Sequence, residues 1–117
     1  MKYNVFVNYL GDGGCQFNHS SESATVAEVL EEVFAMFNYG SGKESPLFLA
    51  RKMRSLSVHD CVRVGKEWFQ CASVGWEKVT DEYVDELEKK VVTHPMFKNH
   101  GSFYCLNDIM WKEYKKL

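Results

Sequence analysis

Between Met53 and Val79 the chain reads MRSLSVHDCVRVGKEWFQCASVGWEKV, and the Gly65-Lys66 pair inside it constrains the segment most tightly. A type II′ turn takes Gly at its first central position, and a two-residue loop of this kind closes two strands in a single register. That register sets Val64 opposite Glu67, Arg63 opposite Trp68 and Val62 opposite Phe69. Because side chains alternate between faces, Val62, Val64, Phe69 and Cys71 share a core face, with Arg63, Trp68 and Gln70 on the other. Ser73-Val74-Gly75-Trp76 then carries the chain into a third strand that ends near Val79.

The flanking segments show equally definite periods. From Lys2 to Leu10, Tyr3, Val5, Val7 and Tyr9 alternate with Asn4, Phe6 and Asn8, a strand pattern. Gly11-Asp12-Gly13-Gly14 is a turn, and Cys15 to His19 returns as the second strand of a hairpin. Thr25-Val26-Ala27-Glu28 fits a capping box, and Val26, Leu30, Val33 and Phe37 follow at helical spacing. Asn38 to Gly42 ends that helix. Ser45-Pro46 favours a short helix over Leu47–Met53, with a strand as the open alternative. Thr80 or Asp81 caps a second long helix carrying Val84, Leu87 and Val91 inward, with acidic residues early in favourable interaction with the helix dipole. His94-Pro95 stops it, and Asn107-Asp108 opens a terminal helix bearing Met110, Trp111, Tyr114 and Leu117.

These elements predict an α+β fold. A small antiparallel sheet, made of an N-terminal hairpin and a central meander, packs against about three helices, the two C-terminal ones on one side. Neither a repeat nor a linker interrupts the chain, so residues 1–117 read as a single domain, a length that supports one hydrophobic core. Eight Phe, six Tyr and three Trp let so short a chain bury a large apolar area.

Charge and cysteine usage narrow the function classes. A formal charge of −2 does not call for a polyanionic partner. No apolar run reaches the roughly 18 residues of a membrane span, and MKYNVFVNYLGDGG lacks a signal-peptide core. A cytoplasmic location is expected, where Cys15, Cys61, Cys71 and Cys105 stay reduced as buried thiols. No Cys/His spacing matches a zinc site, and neither Cys61 with His59 nor Cys105 with His100 lies on a nucleophile elbow. Catalytic residues, metal and cofactors are therefore all read as none. The Glu28/Glu31/Glu32 and Asp81/Glu82/Asp85/Glu86 groups read as solvated helix faces.

Ser55-Leu56-Ser57-Val58-His59-Asp60-Cys61-Val62-Arg63-Val64, followed by Trp68-Phe69-Gln70-Cys71-Ala72-Ser73-Val74-Gly75-Trp76, resembles a known signature. It is similar to the S-[ML]-S-V-G-D-V-V … Y-x-C-x-S-x-G-[FW] pattern of small proteins from phages, plasmids and integrative elements, including the YodL-like domain. This chain has His59 where the pattern carries Gly or Ser, and Cys61 where it carries Val. The resemblance implies an origin in a mobile element, and with it the host cytosol as location, but brings no catalytic residues.

Within the motif, Asp60 can accept backbone N–H bonds from the Ser55–Val58 turn, Ser57 can do the same, and Gly75 permits a positive φ or close packing under Trp76. Arg63, Trp68 and Gln70, joined by Arg51 and Arg54, form the candidate interaction surface, since Trp and Arg dominate interface hot spots. A structural alternative has Trp68 packed beneath a C-terminal helix. The functional expectation is a non-enzymatic accessory protein that binds a host or phage protein. The alternatives are a nucleic-acid-binding module using the basic, aromatic central segment and a metal-binding or Cys/His enzyme.

Overall fold

A computed structural model describes residues 1–23 and 25–115. It contains a five-stranded antiparallel sheet, β1 (Lys2–Asn8), β2 (Gly14–Ser20), β3 (Cys61–Val64), β4 (Glu67–Cys71) and β5 (Trp76–Val79), in the order β2-β1-β3-β4-β5. Four helices accompany it: α1 (Val26–Met36), α2 (Pro46–Arg51), α3 (Asp81–Val92) and α4 (Phe97–Lys115). The α+β class is as expected, with hairpin and meander fused into one sheet through the β1–β3 pairing.

The Gly65-Lys66 turn sets the predicted register: Val64 pairs with Glu67, Arg63 with Trp68 and Val62 with Phe69. Gly65 has a φ of 62° and Lys66 does not share its positive sign, as a type II′ turn requires. In β1 the odd residues Val5 and Val7 are sealed in the core with Tyr9, which follows the strand.

Helices cover both faces, so the architecture is three-layered. On one face α1 and α2 bury Val29, Leu30, Val33, Phe37 and Phe48 against Val5, Val7, Cys15, Val62 and Val64. On the other, α3 and α4 bury Val84, Leu87, Val91, Cys105 and Leu106 against Leu10 and Cys61, with Trp68 packed at the edge. The two C-terminal helices do lie together on one side; the α1 layer opposite them completes the sandwich.

Local chemistry accounts for the starts of α1, α2 and α3. Thr25, Ser45 and Thr80 each accept a backbone N–H through the side-chain oxygen, from Glu28, Leu47 and Tyr83 respectively. The Ser45-Pro46 start resolves the open segment as helix, which ends at Lys52 with a left-handed φ of 54°. Val26, expected inward, is exposed at the first position of α1; the buried stripe starts at Val29.

The terminal helix departs from expectation. It starts at Phe97, and Asn107-Asp108 lie inside it instead of opening it. Gly101 (φ 74°, ψ −173°) breaks it into two segments. The backbone angle favours glycine at Gly101, and a Cβ there would sit 2.9 Å from Asp12 Oδ2 and push that carboxylate aside. Asp12 accepts the Ser102 N–H at 2.7 Å, satisfying one of the free donors where the helix restarts. Leu117, expected on this helix, lies outside the described residues.

Candidate functional site: a sealed ion-pair hub beside an aromatic ridge

The loop leading into β3 is held by one buried charge. Asp60, its side chain 1% exposed, accepts Arg54 Nη1 at 2.6 Å and Nη2 at 2.8 Å, together with the Ser57 N–H at 2.8 Å. The Ser57 carbonyl accepts the Asp60 N–H in return. Burial pushes the Asp60 carboxyl above its ordinary range, against the downward pull of the Arg54 guanidinium and the Ser57 N–H. Arg54 also donates to Ser102 Oγ at 2.9 Å and lies 4.8 Å over the Tyr9 ring, while the Tyr9 hydroxyl donates to the Arg54 carbonyl. Three parts of the chain thus meet on one guanidinium: the turn after β1, the 53–60 loop that enters β3, and α4.

That arrangement separates the sequence-selected residues. Arg54 belongs to the hub and is not part of an open face. Gln70 is buried, donating to the His59 carbonyl at 3.1 Å and accepting the Tyr83 hydroxyl at 2.9 Å. Trp68 is half-buried against the α3/α4 layer and meets Phe6 edge-on, which is the structural alternative raised for it. The Arg63 guanidinium lies 5.5 Å over Phe6 and 5.8 Å over Trp68, and its Nη2 donates to Asn4 Oδ1. Arg51 is exposed on α2 and donates to the Gly14 carbonyl at 3.1 Å, at the β2 edge of the sheet. The expected single surface of Arg63, Trp68, Gln70, Arg51 and Arg54 is therefore not assembled, because α3 and α4 occupy the face on which it would lie. Gly75 has a φ of 72° with open space where its Cβ would be, so turn geometry and not close packing requires it.

His59 has a φ of 83°, a left-handed backbone that favours glycine. Its N–H donates to the Cys71 carbonyl at 2.7 Å and its carbonyl accepts from Gln70, which holds that conformation in place. The half-buried ring lines an open groove of 680 Å³ with Asn107, Met110, Trp111, Glu113 and Tyr114. Burial pushes the imidazole below its ordinary value, so a neutral ring faces the groove at neutral pH.

Beside the groove runs an aromatic ridge. Phe103, Tyr104, Asn107, Trp111 and Tyr114 fall on one side of α4, opposite the buried Ser102, Cys105 and Leu106. Trp111 is 54% and Tyr114 67% exposed, and their rings stack at 5.7 Å. A period count from Asn107 missed this ridge; starting the helix at the Gly101 break and placing Cys105 and Leu106 inward would have found it.

The four thiols are unsuited to nucleophilic chemistry. All are buried, and desolvation raises each one, Cys61 to about 12 and Cys71 to about 11. Cys61 and Cys71 face opposite sides of the sheet, and no group of three or more His, Cys, Asp or Glu among the described residues is placed to hold a metal ion. No helix among the described residues is long and apolar enough to cross a membrane. In comparisons with known proteins, no family model, no curated protein and no solved structure matches this chain.

Proposed function

We propose that this chain is a non-enzymatic accessory protein of a phage or mobile element, acting in the cytoplasm by binding a host or phage protein through the α4 ridge and the His59 groove. One observation carries the reading: Phe103, Tyr104, Trp111 and Tyr114 are all about half exposed or more on a single helix face. Solvent-facing aromatics in such number cost solubility, and Trp and Tyr are the residues that anchor protein interfaces. The neighbouring groove offers a partly apolar recess for a partner side chain. Two further facts support the wider picture. The buried, high-pKa thiols and the sealed Asp60 leave this set of residues without an activated nucleophile. The position where the mobile-element signature carries Gly or Ser has a glycine-favouring φ in this chain.

Nucleic-acid binding is the less favoured reading. Arg54 is committed to Asp60, and the Arg63 guanidinium covers the Phe6 and Trp68 rings on which bases would stack. Affinity capture from lysate of the cell that carries the gene tests the proposal, comparing the wild type with the Trp111→Ser/Tyr114→Ser double variant. Both changes are at exposed positions, and circular dichroism checks that the fold is kept. A stoichiometric protein recovered by the wild type and lost with the variant is expected. Capture of no stoichiometric protein, equal capture by the variant, or nuclease-sensitive capture refutes it.

A further inference from the structure

We infer that β2 pairs with the β2 of a second copy of this chain, antiparallel across a two-fold axis, joining two five-stranded sheets into one. The sheet ends in two edge strands, and they differ. β5 is four residues long and charged, with Lys78 bridging to Glu67 at 2.9 Å. β2 runs for seven residues, GCQFNHS, without Lys, Arg, Asp, Glu or proline and without a bulge in its register with β1; its one titratable residue besides the buried Cys15, His19, is turned to Glu32. Short length, charge, proline and bulges are the devices that keep an edge from pairing, and β2 has none of them.

Which backbone groups face outward follows from the hairpin itself. Ser21 N–H donates to the Met1 carbonyl and Tyr9 N–H to the Gly13 carbonyl. Hydrogen-bonded pairs alternate along an antiparallel ladder, so Cys15, Phe17 and His19 spend their backbone groups on β1. Gly14, Gln16, Asn18 and Ser20 point theirs to the free edge. Arg51, donating to the Gly14 carbonyl from outside the sheet, agrees with that assignment.

The occupant and the register are set by the same edge. A two-fold axis places each residue near its own copy or its mirror position, so an edge used this way cannot carry like charges near its centre. Centred on Asn18, the pairing sets Asn18 against its own copy and Gln16 against Ser20 of the other chain. All three outward residues then pair while the Gly14 carbonyl stays with Arg51. The Asn18 amide both donates and accepts, so it can meet its own copy at the axis, and Gln16 can meet Ser20; Asn18 Oδ1 and Gln16 Nε2 already bond Asn4 within the sheet, which leaves Asn18 Nδ2 and Gln16 Oε1 for the second copy. One pair further on, the same register brings exposed Glu22 against Gly14 of the other chain, where that copy's exposed Arg51 sits. The axis repeats this opposite-charge contact, which an unrelated strand would not supply. Centring on Phe17 would instead require the Gly14 carbonyl and displace Arg51.

Sedimentation equilibrium of the full chain from about 10 µM to about 1 mM spans the affinity range of small interfaces. The expected mass rises from 13.6 kDa toward twice that value with concentration. Asn18→Lys places two ammonium groups at the axis, and Asn18→Pro removes an outward N–H that β1 does not use. Each should raise the dissociation constant at least about tenfold, a loss that Trp111→Ser does not reproduce. Arg51→Glu should weaken the dimer, and Arg51→Glu with Glu22→Arg should restore it. A monomer at every concentration, a dimer indifferent to both Asn18 variants, or a double swap no tighter than Arg51→Glu alone overturns the inference.

Discussion

Replacing Arg54 with Met while leaving Asp60 in place should be the most damaging single change near the loop. The Asp60 side chain is 1% exposed, so once its guanidinium partner is gone the carboxylate keeps only the Ser57 N–H and cannot turn to water. Breaking a buried pair from the exposed side in this way costs about 3–5 kcal/mol. For a domain of this size that lowers Tm by about 12–20 °C. The reverse change is milder for a geometric reason. Arg54 is 28% exposed, so in Asp60→Asn it can rehydrate and still bond Ser102, at a cost of about 1–3 kcal/mol. The asparagine amide oxygen also remains an acceptor for the Ser57 N–H. The double variant should cost less than the two singles summed, because the stranded charge is absent from it. Urea unfolding of the four proteins, followed by far-UV circular dichroism, reads all of this. An Arg54→Met variant no less stable than Asp60→Asn would refute the reasoning, since it would mean that Asp60 is not sealed from water.

Two further perturbations probe the remaining features. His59 carries a positive φ, so His59→Gly should raise stability by up to about 1 kcal/mol, while the β-branched His59→Val should lower it; thermal melts that rank Val at or above His contradict that backbone. Glu32 accepts His19 Nε2 at 2.7 Å, Ser23 Oγ at 2.7 Å and Ser21 Oγ at 3.0 Å, and these bonds, His19 first, hold its carboxyl down to about 2. A depressed carboxyl stabilises the fold above its unfolded value of 4.5 and loses that contribution as pH falls toward 2. Glu32→Gln should therefore be less stable at neutral pH and flatter in Tm between pH 4.5 and 2, and a variant that tracks the wild type across that window refutes the assignment.

What could be read in the chain, and what could not, divides by the distance over which each feature closes. Thr25, Ser45 and Thr80 cap helices with donors two or three residues away, and the Gly65-Lys66 turn pairs residues lying close on either side of it, so short-range geometry was enough. The Asp60–Ser57 bond spans three residues and was equally accessible. The face of Arg63, Trp68 and Gln70 was correct as a face, but nothing local says that α3 and α4 return to cover it. Arg54 reaches Ser102 across 48 residues, and Asp12 reaches the same residue's N–H across 90. Gly101 looked like loop composition because glycine is shared by loops and by tight helix breaks; only the approach of Asp12 tells them apart.

Sequence alone thus determined the α+β class, the strand register of the meander, the starts of α1, α2 and α3 and the buried state of the four thiols, since each follows from alternation, capping or apolar burial within a few residues; the start of α4 was not among them. Tertiary structure decided which surfaces remain open. By setting β1 against β3 it built a two-faced sheet, sealed Asp60 and Gln70 inside with Arg54 half-buried against Asp60, and turned the aromatics of α4 and the edge of β2 toward solvent. Those outcomes depend on contacts between segments tens of residues apart, whose loop-closure cost is repaid only when the whole sandwich forms.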